Sequence, residues 1–455
     1  MRYFWPVNGK YLYIYTLVFI VLLGAVLRLH WIMYVNSKGE YIYDEYYLYV
    51  STAQNAFQGK GFFPAVYDPA GGIWVHAPLQ ALFVLLTYKI AGTITSPLWP
   101  RLIQLCLSLI AIILCASIGK SLVSPVAGII LAFMVAIYPD FVYWTGFLQT
   151  ENNYLFDLTF ILWILLVWND NPKPIYAVAA ALCLGLLNLQ RGNALLLSPV
   201  IALYALCAFK KERRSYRSYF SAFIFAVIPF CVLLPWLARN LAVYGDPILV
   251  FSHTGIQLHV ANRLNYSPIK TPYVFDYMAE NENHGVFSIP EIEKKCRAQD
   301  GKSLPYNTKG SLTVTGYRYA NLYQKAALIY IINHPVHFFK NYILKMFNQF
   351  YLVQDTKRIA VSFLSNQRVF WIFDRMILIG GLSGLFFLMG GVCKKGLYVI
   401  VIIFAYFALT GALFTLSLDG RFNLYLKFFL ILFMSLGSAQ FFLQFKKRPV
   451  DVYIK

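Results

Sequence analysis

The chain has 455 residues, enough for roughly three soluble domains of about 150 residues each. With 59% hydrophobic, 18% aromatic and only 13% charged residues, and a mean hydropathy of +0.57, it cannot cover a water-soluble surface. Its 39 basic and 20 acidic residues leave a net charge of +19, which in a soluble chain would point to nucleic acid; here it fits cationic loops beside anionic lipid at the cytoplasmic face of a membrane.

Runs near the about 20 apolar residues that a spanning helix needs predict spans at 11–33, 99–119, 123–139, 152–169, 174–190, 193–209, 218–238, 370–392, 396–416 and 423–445. The first has a basic start but runs into Arg28, His30 and Trp31 without a small-residue cleavage site, so it reads as an uncleaved anchor. The shorter run 78–92 is ambiguous by length, and charge parity decides it. If it does not span, Arg2 and Lys10, Lys120, Lys173, the Lys210–Arg217 cluster, Lys394–Lys395 and Lys446–Arg448 all fall on the side of the N-terminus. That is the positive-inside pattern with both termini cytoplasmic. The run is therefore expected to be an external juxtamembrane helix. Two long polar segments, roughly 34–98 and 240–369, then face outward. The second carries scattered charges of both signs and an amphipathic stretch at 334–352, as a small external domain would.

Chemistry is expected on that outward face. The first external segment opens with Tyr43-Asp44-Glu45-Tyr46. Two carboxylates just beyond a span are costly near lipid unless paired or functional. As helix neighbours they point about 100° apart and would take separate roles; an N-cap Asp44 with Glu45 on the helix dipole is the plain structural alternative. His76 precedes the juxtamembrane helix. Glu151 follows Thr150 where the fourth span begins, after an irregular Pro139–Gly146 connection. Arg191, Arg239 and Arg421 sit at outward helix ends, where the positive-inside rule disfavours them. Snorkelling accounts for any one of them; an anionic ligand, for which guanidinium offers bidentate bonds, accounts for all three together. The seven cysteines show no CxxC or Cys/His spacing for zinc and no disulfide framework.

Taken in order, these pieces resemble the GT-C class of membrane glycosyltransferases, and within it the protein O-mannosyltransferases and the aminoarabinose–lipid A transferases. Asp44-Glu45 resembles the acidic pair of the first external loop, and Ala77-Pro78-Leu79 the start of the juxtamembrane helix. Thr150-Glu151 resembles the acid of the second external loop. Pro235-Trp236 through Arg239-Asn240 to Gly245-Asp246-Pro247, and Asp419-Gly420-Arg421-Phe422, resemble two later motifs. The chain departs from the pattern at His76-Ala77-Pro78, where lipid A transferases often carry Lys-Pro-Pro, which puts one phosphate contact in doubt. It also lacks the large extra external domain of eukaryotic protein mannosyltransferases, which argues against a protein acceptor.

The resemblance implies an all-α polytopic GT-C-like bundle of about ten transmembrane helices. It would comprise a catalytic transmembrane module over 1–239 that includes the external loop 34–98, an external loop domain with amphipathic helices over 240–369, and C-terminal transmembrane helices over 370–455. It implies an inner-membrane enzyme that takes a sugar from a polyprenyl-phosphate donor and places it, with inversion, on an envelope glycan, lipid or protein acceptor. Asp44, Glu45 and Glu151 would be the catalytic acids, with Asp44 the base. Arg239, Arg191, His76 and Arg421 would hold the donor phosphate. A divalent cation, Mg or Mn, held by Asp44 and Glu151 stays open. Two other classes share the bundle and the basic groups: a lipid-linked polysaccharide ligase or polymerase, and a lipid or polysaccharide transporter. A transporter would be expected to show two similar halves, and no internal repeat is visible.

Overall fold

The computed structural model describes residues 7–39, 45–62, 75–94, 96–208, 216–252, 316–351, 367–390, 395–414 and 424–445, with single positions at 254, 255, 258 and 262. Among them every regular element is helical. The elements are α1 (Val7–Lys38), a π-helical turn (Glu45–Val50), α2 (Ser51–Phe57), α3 (Leu79–Ala91), α4 (Leu98–Leu122), α5 (Pro125–Ile137), α6 (Pro139–Tyr143), α7 (Thr150–Asp170), α8 (Pro174–Arg191), α9 (Leu197–Ala208) and α10 (Tyr216–Tyr244). After these come α11 (Gly316–Asn333), α12 (Pro335–Tyr351), α13 (Gln367–Met389), α14 (Lys395–Phe414) and α15 (Leu424–Phe445).

Each of the ten apolar runs read from the sequence falls on a helix. Among the described residues seven of these helices are long and apolar enough to cross a membrane, or eight if the bent pair α5–α6 counts as one span. That is fewer than the expected ten, for two reasons. α9 has 12 residues, about 18 Å at 1.5 Å per residue, against a hydrocarbon core of about 30 Å. α7 has the length, but its first turns carry Thr150, Glu151, Asn152, Asn153 and then Asp157. These residues belong to a protein interior, not to lipid.

α5 and α6 show how local sequence shapes the site. Ser124 caps α5 by accepting from the Ala127 N–H, and Pro125 fills the first turn where no N–H is needed. Pro139 then forces Tyr138 into an extended conformation, and the chain bends by 57°. The break leaves the last carbonyls of α5 without helical donors. Arg28 of α1, wholly buried, supplies them: its guanidinium donates to Ala136 O (2.6 Å), Val135 O (2.9 Å), Gly24 O and Ser108 Oγ. Beyond the bend, Trp31 donates to Tyr143 O, and Gln104 of α4 donates to Trp144 O, Thr145 O and Phe147 O. The irregular loop before Glu151 is thus held by two helices.

A second buried polar cluster ties the C-terminal helices to this bend. Lys427 of α15 donates to Asp140 Oδ2 (2.5 Å) and Asp374 Oδ2 (3.1 Å), and Tyr138 OH donates to Asp374 Oδ1. Charges inside a membrane bundle persist when paired. α13 and α15 meet through glycines, and a Cβ built on Gly384 would lie 2.2 Å from Phe433 O. That approach is closer than any other residue allows, and it gives the small-residue interface typical of membrane helices.

α3 does not cross the bundle. Gln80 at its start donates to Leu148 O. Beyond its end, six residues lead to α4, whose Gln104 reaches the same 144–147 loop. Its 13 residues cover about 20 Å. Both its ends therefore sit at one end of the molecule, below called the cleft end.

Candidate active site

Two clefts open at the cleft end. The first encloses about 350 Å³, partly open to solvent, between the π-turn and α2, the start of α3 and the end of α10. Arg239 and His76 both line it, with Tyr49, Phe62, Trp236 and Tyr244. Arg239 is half-buried. Its guanidinium lies 4.9 Å from the ring centroids of both Trp236 and Tyr244. It donates to Phe62 O (2.6 Å) and Asn240 Oδ1 (2.9 Å), and no carboxylate pairs with it among the described residues. The two nearby rings limit its rotation, and a guanidinium has five N–H donors in a fixed plane, so donors remain for a ligand.

The local sequence explains this placement. Trp236 and Asn240 stand one helical turn apart on α10 and donate to Val250 O and Ile248 O. Gly245, at φ +72°, makes the left-handed turn that folds 246–252 back over the helix. That returning segment holds the strand before α3: Ser252 N–H donates to Val75 O, and Val75 N–H donates to Ser252 Oγ. His76 follows directly. Desolvation pushes its imidazole down to about 4, so it is neutral at pH 7 and meets an anion as an N–H donor.

The second cleft, about 230 Å³, lies among α7, α8 and α15 and is lined by Glu151, Arg191, Tyr154 and Tyr425. Glu151, buried, pairs with Arg191 at 3.3 Å. Tyr154 OH donates to Asn193 Oδ1 and Tyr406 OH to Asn193 O, fixing the turn after Arg191.

Between the clefts lies a knot of amides. Gln80 Oε1 accepts from Gln190 Nε2 (2.6 Å) and Asn153 Nδ2 (3.0 Å), while its own Nε2 donates to Leu148 O. Gln80 stands three residues after Ala77 of the first cleft; Gln190 and Asn153 stand one and two residues from Arg191 and Glu151 of the second.

The sequence candidates thus divide. His76 and Arg239 share the first cleft, and Glu151 and Arg191 form the second. Asp44 and Arg421 lie outside the described residues, as does the side chain of Glu45. Leu48 lines the first cleft and Leu424 the second. The sequence reading missed Gln80, Asn153, Gln190, Tyr154 and Tyr425, which carry no charge and no motif. It also missed the Asp374–Lys427 pair, whose signal was two charges inside apolar runs. Among the described residues no three His, Cys, Asp or Glu side chains come together to hold a metal; of the pair Asp44 and Glu151, Asp44 lies outside them.

No protein-family model matches the chain, and no curated protein matches it in sequence. Solved structures do match in shape. Archaeal oligosaccharyltransferase AglB from Archaeoglobus fulgidus, in complex with an inhibitory peptide and a dolichol-phosphate, superposes with TM-score 0.56 at 16% identity, covering 96% of this chain and 51% of that one. The same archaeal enzyme in complex with Zn and sulfate gives 0.53 at 12% identity, covering 94% and 49%. ArnT from Cupriavidus metallidurans bound to undecaprenyl phosphate gives 0.43 at 13% identity, covering 93% and 78%, a score too low to bear weight. The chain spans about half the length of the archaeal enzyme, and at these identities the likeness concerns the fold. The protein is a multi-pass membrane protein, helical in every regular element among its described residues, with a fold like that of the archaeal oligosaccharyltransferase.

Proposed function

We propose that the protein is a glycosyltransferase that moves a sugar from a polyprenyl-phosphate donor to an acceptor at the cleft end, on the outer face of the inner membrane, with both termini cytoplasmic. One observation carries this reading: Arg239 and His76, far apart in sequence, line a single cleft. The fold, shared with an oligosaccharyltransferase solved with dolichol-phosphate, supports it.

The residues suit the chemistry. An acceptor hydroxyl oxygen attacks the anomeric carbon, and the bond from that carbon to the phosphate oxygen breaks. The electron pair leaves with the polyprenyl phosphate. That leaving group gains charge and needs neutralisation rather than a proton, which the Arg239 guanidinium supplies from a fixed position and His76 assists by an N–H. The proton from the acceptor passes to Asp44. A direct displacement inverts the anomeric centre. An acceptor phosphate would already be anionic, and Asp44 would then only position it. Glu151, held by Arg191 in the neighbouring cleft, orients the acceptor or the sugar. A divalent ion would fall to Asp44 and Glu151 together, neutralising the departing phosphate further.

A second reading keeps the lipid-linked donor but transfers a longer glycan from a diphosphate carrier; the likeness to an oligosaccharyltransferase favours it over transport. One assay separates the readings. Purified protein is incubated with radiolabelled polyprenyl-phosphate sugars, or with diphosphate-linked glycans, and an envelope acceptor fraction. The proposal expects transfer from the monophosphate donor. It also expects Asp44→Asn to lower transfer about 10²-fold or more while the protein stays folded. Wild-type turnover in Asp44→Asn would overturn the assignment, transfer only from diphosphate glycans would favour the second reading, and no transfer from either would return the chain to the transporters.

A further inference from the structure

α11 and α12 present their faces the opposite way from helices of a water-soluble domain. On α12 two polar side chains turn inward: Asn341 and Lys345 are buried, Lys345 Nζ donates to Asn262 Oδ1 (2.9 Å), and Asn262 in turn donates to Leu413 O of α14. The apolar side chains turn outward. Leu328, Ile329, Ile332, Val336, Phe339 and Phe347 are all exposed, Val336 at 83%. Within each helix these residues recur at helical spacing, 329 to 332 on α11 and 336, 339 and 347 on α12, so each helix has an outward apolar stripe.

The position of this stripe names its occupant. Tyr342 OH donates to Leu409 O, and Asn262 reaches Leu413, so α12 is pinned to the last two turns of the spanning helix α14. It thus sits at one boundary of the membrane, at the end bearing the clefts, and its apolar face continues from Leu409, itself half-exposed on α14. Residues 316–351 contain Arg318, Lys325, Lys340 and Lys345 and no acid. Of these, Lys325 and Lys340 are exposed with the stripe; an apolar face beside exposed cations suits anionic phospholipid, with acyl chains against the stripe and phosphates at these two lysines.

We infer that α11 and α12 form a monotopic element that lies in the leaflet at the cleft end, its apolar stripe among acyl chains and its polar face closed against α14. This refines the expected external loop domain, because these helices would be part of the membrane boundary and not of a water-exposed lobe. It stands independently of the glycosyltransferase reading, since it concerns where the helices sit and not what is transferred.

The test places p-benzoylphenylalanine at Phe339, at Phe347 and, as a lipid-facing reference, at Phe386 of α13, which is 83% exposed on a spanning helix. Each full-length variant is purified, checked for monodispersity, placed in nanodiscs of phosphatidylethanolamine and phosphatidylglycerol, irradiated and analysed by mass spectrometry. The expected result is phospholipid adducts at 339 and 347 in yields comparable to those at 386. Lipid adducts at 386 with none at 339 and 347 would show a water-facing lobe and overturn the inference. Protein–protein adducts at 339 and 347 would assign the stripe to a second copy and overturn it equally.

Discussion

At Arg239 three local features make one residue useful: two aromatic rings close to the guanidinium, two carbonyl-type acceptors, and no carboxylate to neutralise it among the described residues. An arginine so held is arranged before any ligand arrives. His76 complements it without a charge, and its lowered pKa has a measurable consequence. The imidazole titrates near 6.5 when unfolded and near 4 when folded. Between those values the unfolded chain binds more protons, so stability falls as pH drops from about 6.5 to about 4. His76→Gln should lose less thermal stability across that window than the wild type, and parallel melting curves would contradict the shift. The outward arginines and His76 were legible in the sequence because charge on that side breaks a rule. Gln80, Asn153 and Gln190 were not, because a neutral amide acquires meaning only from its partners.

Among the elements, the bends and crossings matter more than the helices themselves. Hydropathy located every helix that carries the bundle, since lipid demands long apolar runs. It could not tell that α9 runs for only 12 residues among the described ones, or that the polar turns of α7 are packed inside, because burial by protein and burial by lipid look alike in composition. Nor could it foresee that Arg28 serves the carbonyls released at Pro139. The crossing of α13 and α15 is tightly packed. A methyl group on Gly384 meets the backbone carbonyl of Phe433, which cannot rotate away. Gly384→Ala should therefore destabilise the protein by about 1–3 kcal/mol, the usual range for overpacking, read as a lowered melting temperature in detergent. An unchanged melting temperature would mean that the two helices separate freely.

For the whole molecule, the arrangement is two clefts at one end of a helical bundle, with Gln80 joining their walls. The first offers a cation with no carboxylate partner among the described residues, and the second a paired acid and arginine beside two tyrosines. If transfer requires both clefts in register, loosening the knot should cost rate more than donor affinity. Gln80→Ala is expected to lower kcat by about 10²-fold, the effect of a misplacement near 1 Å, with the donor Kd nearly unchanged. Equal losses in both would mean that the amide serves only the fold. The account rests most directly on the first cleft taking a lipid phosphate. That is tested by the Kd of polyprenyl phosphate for the wild type and for Arg239→Ala in nanodiscs. The account predicts a loss of about tenfold or more, as for a charged hydrogen bond worth about 1.5–3 kcal/mol; equal affinity in the two proteins would contradict it.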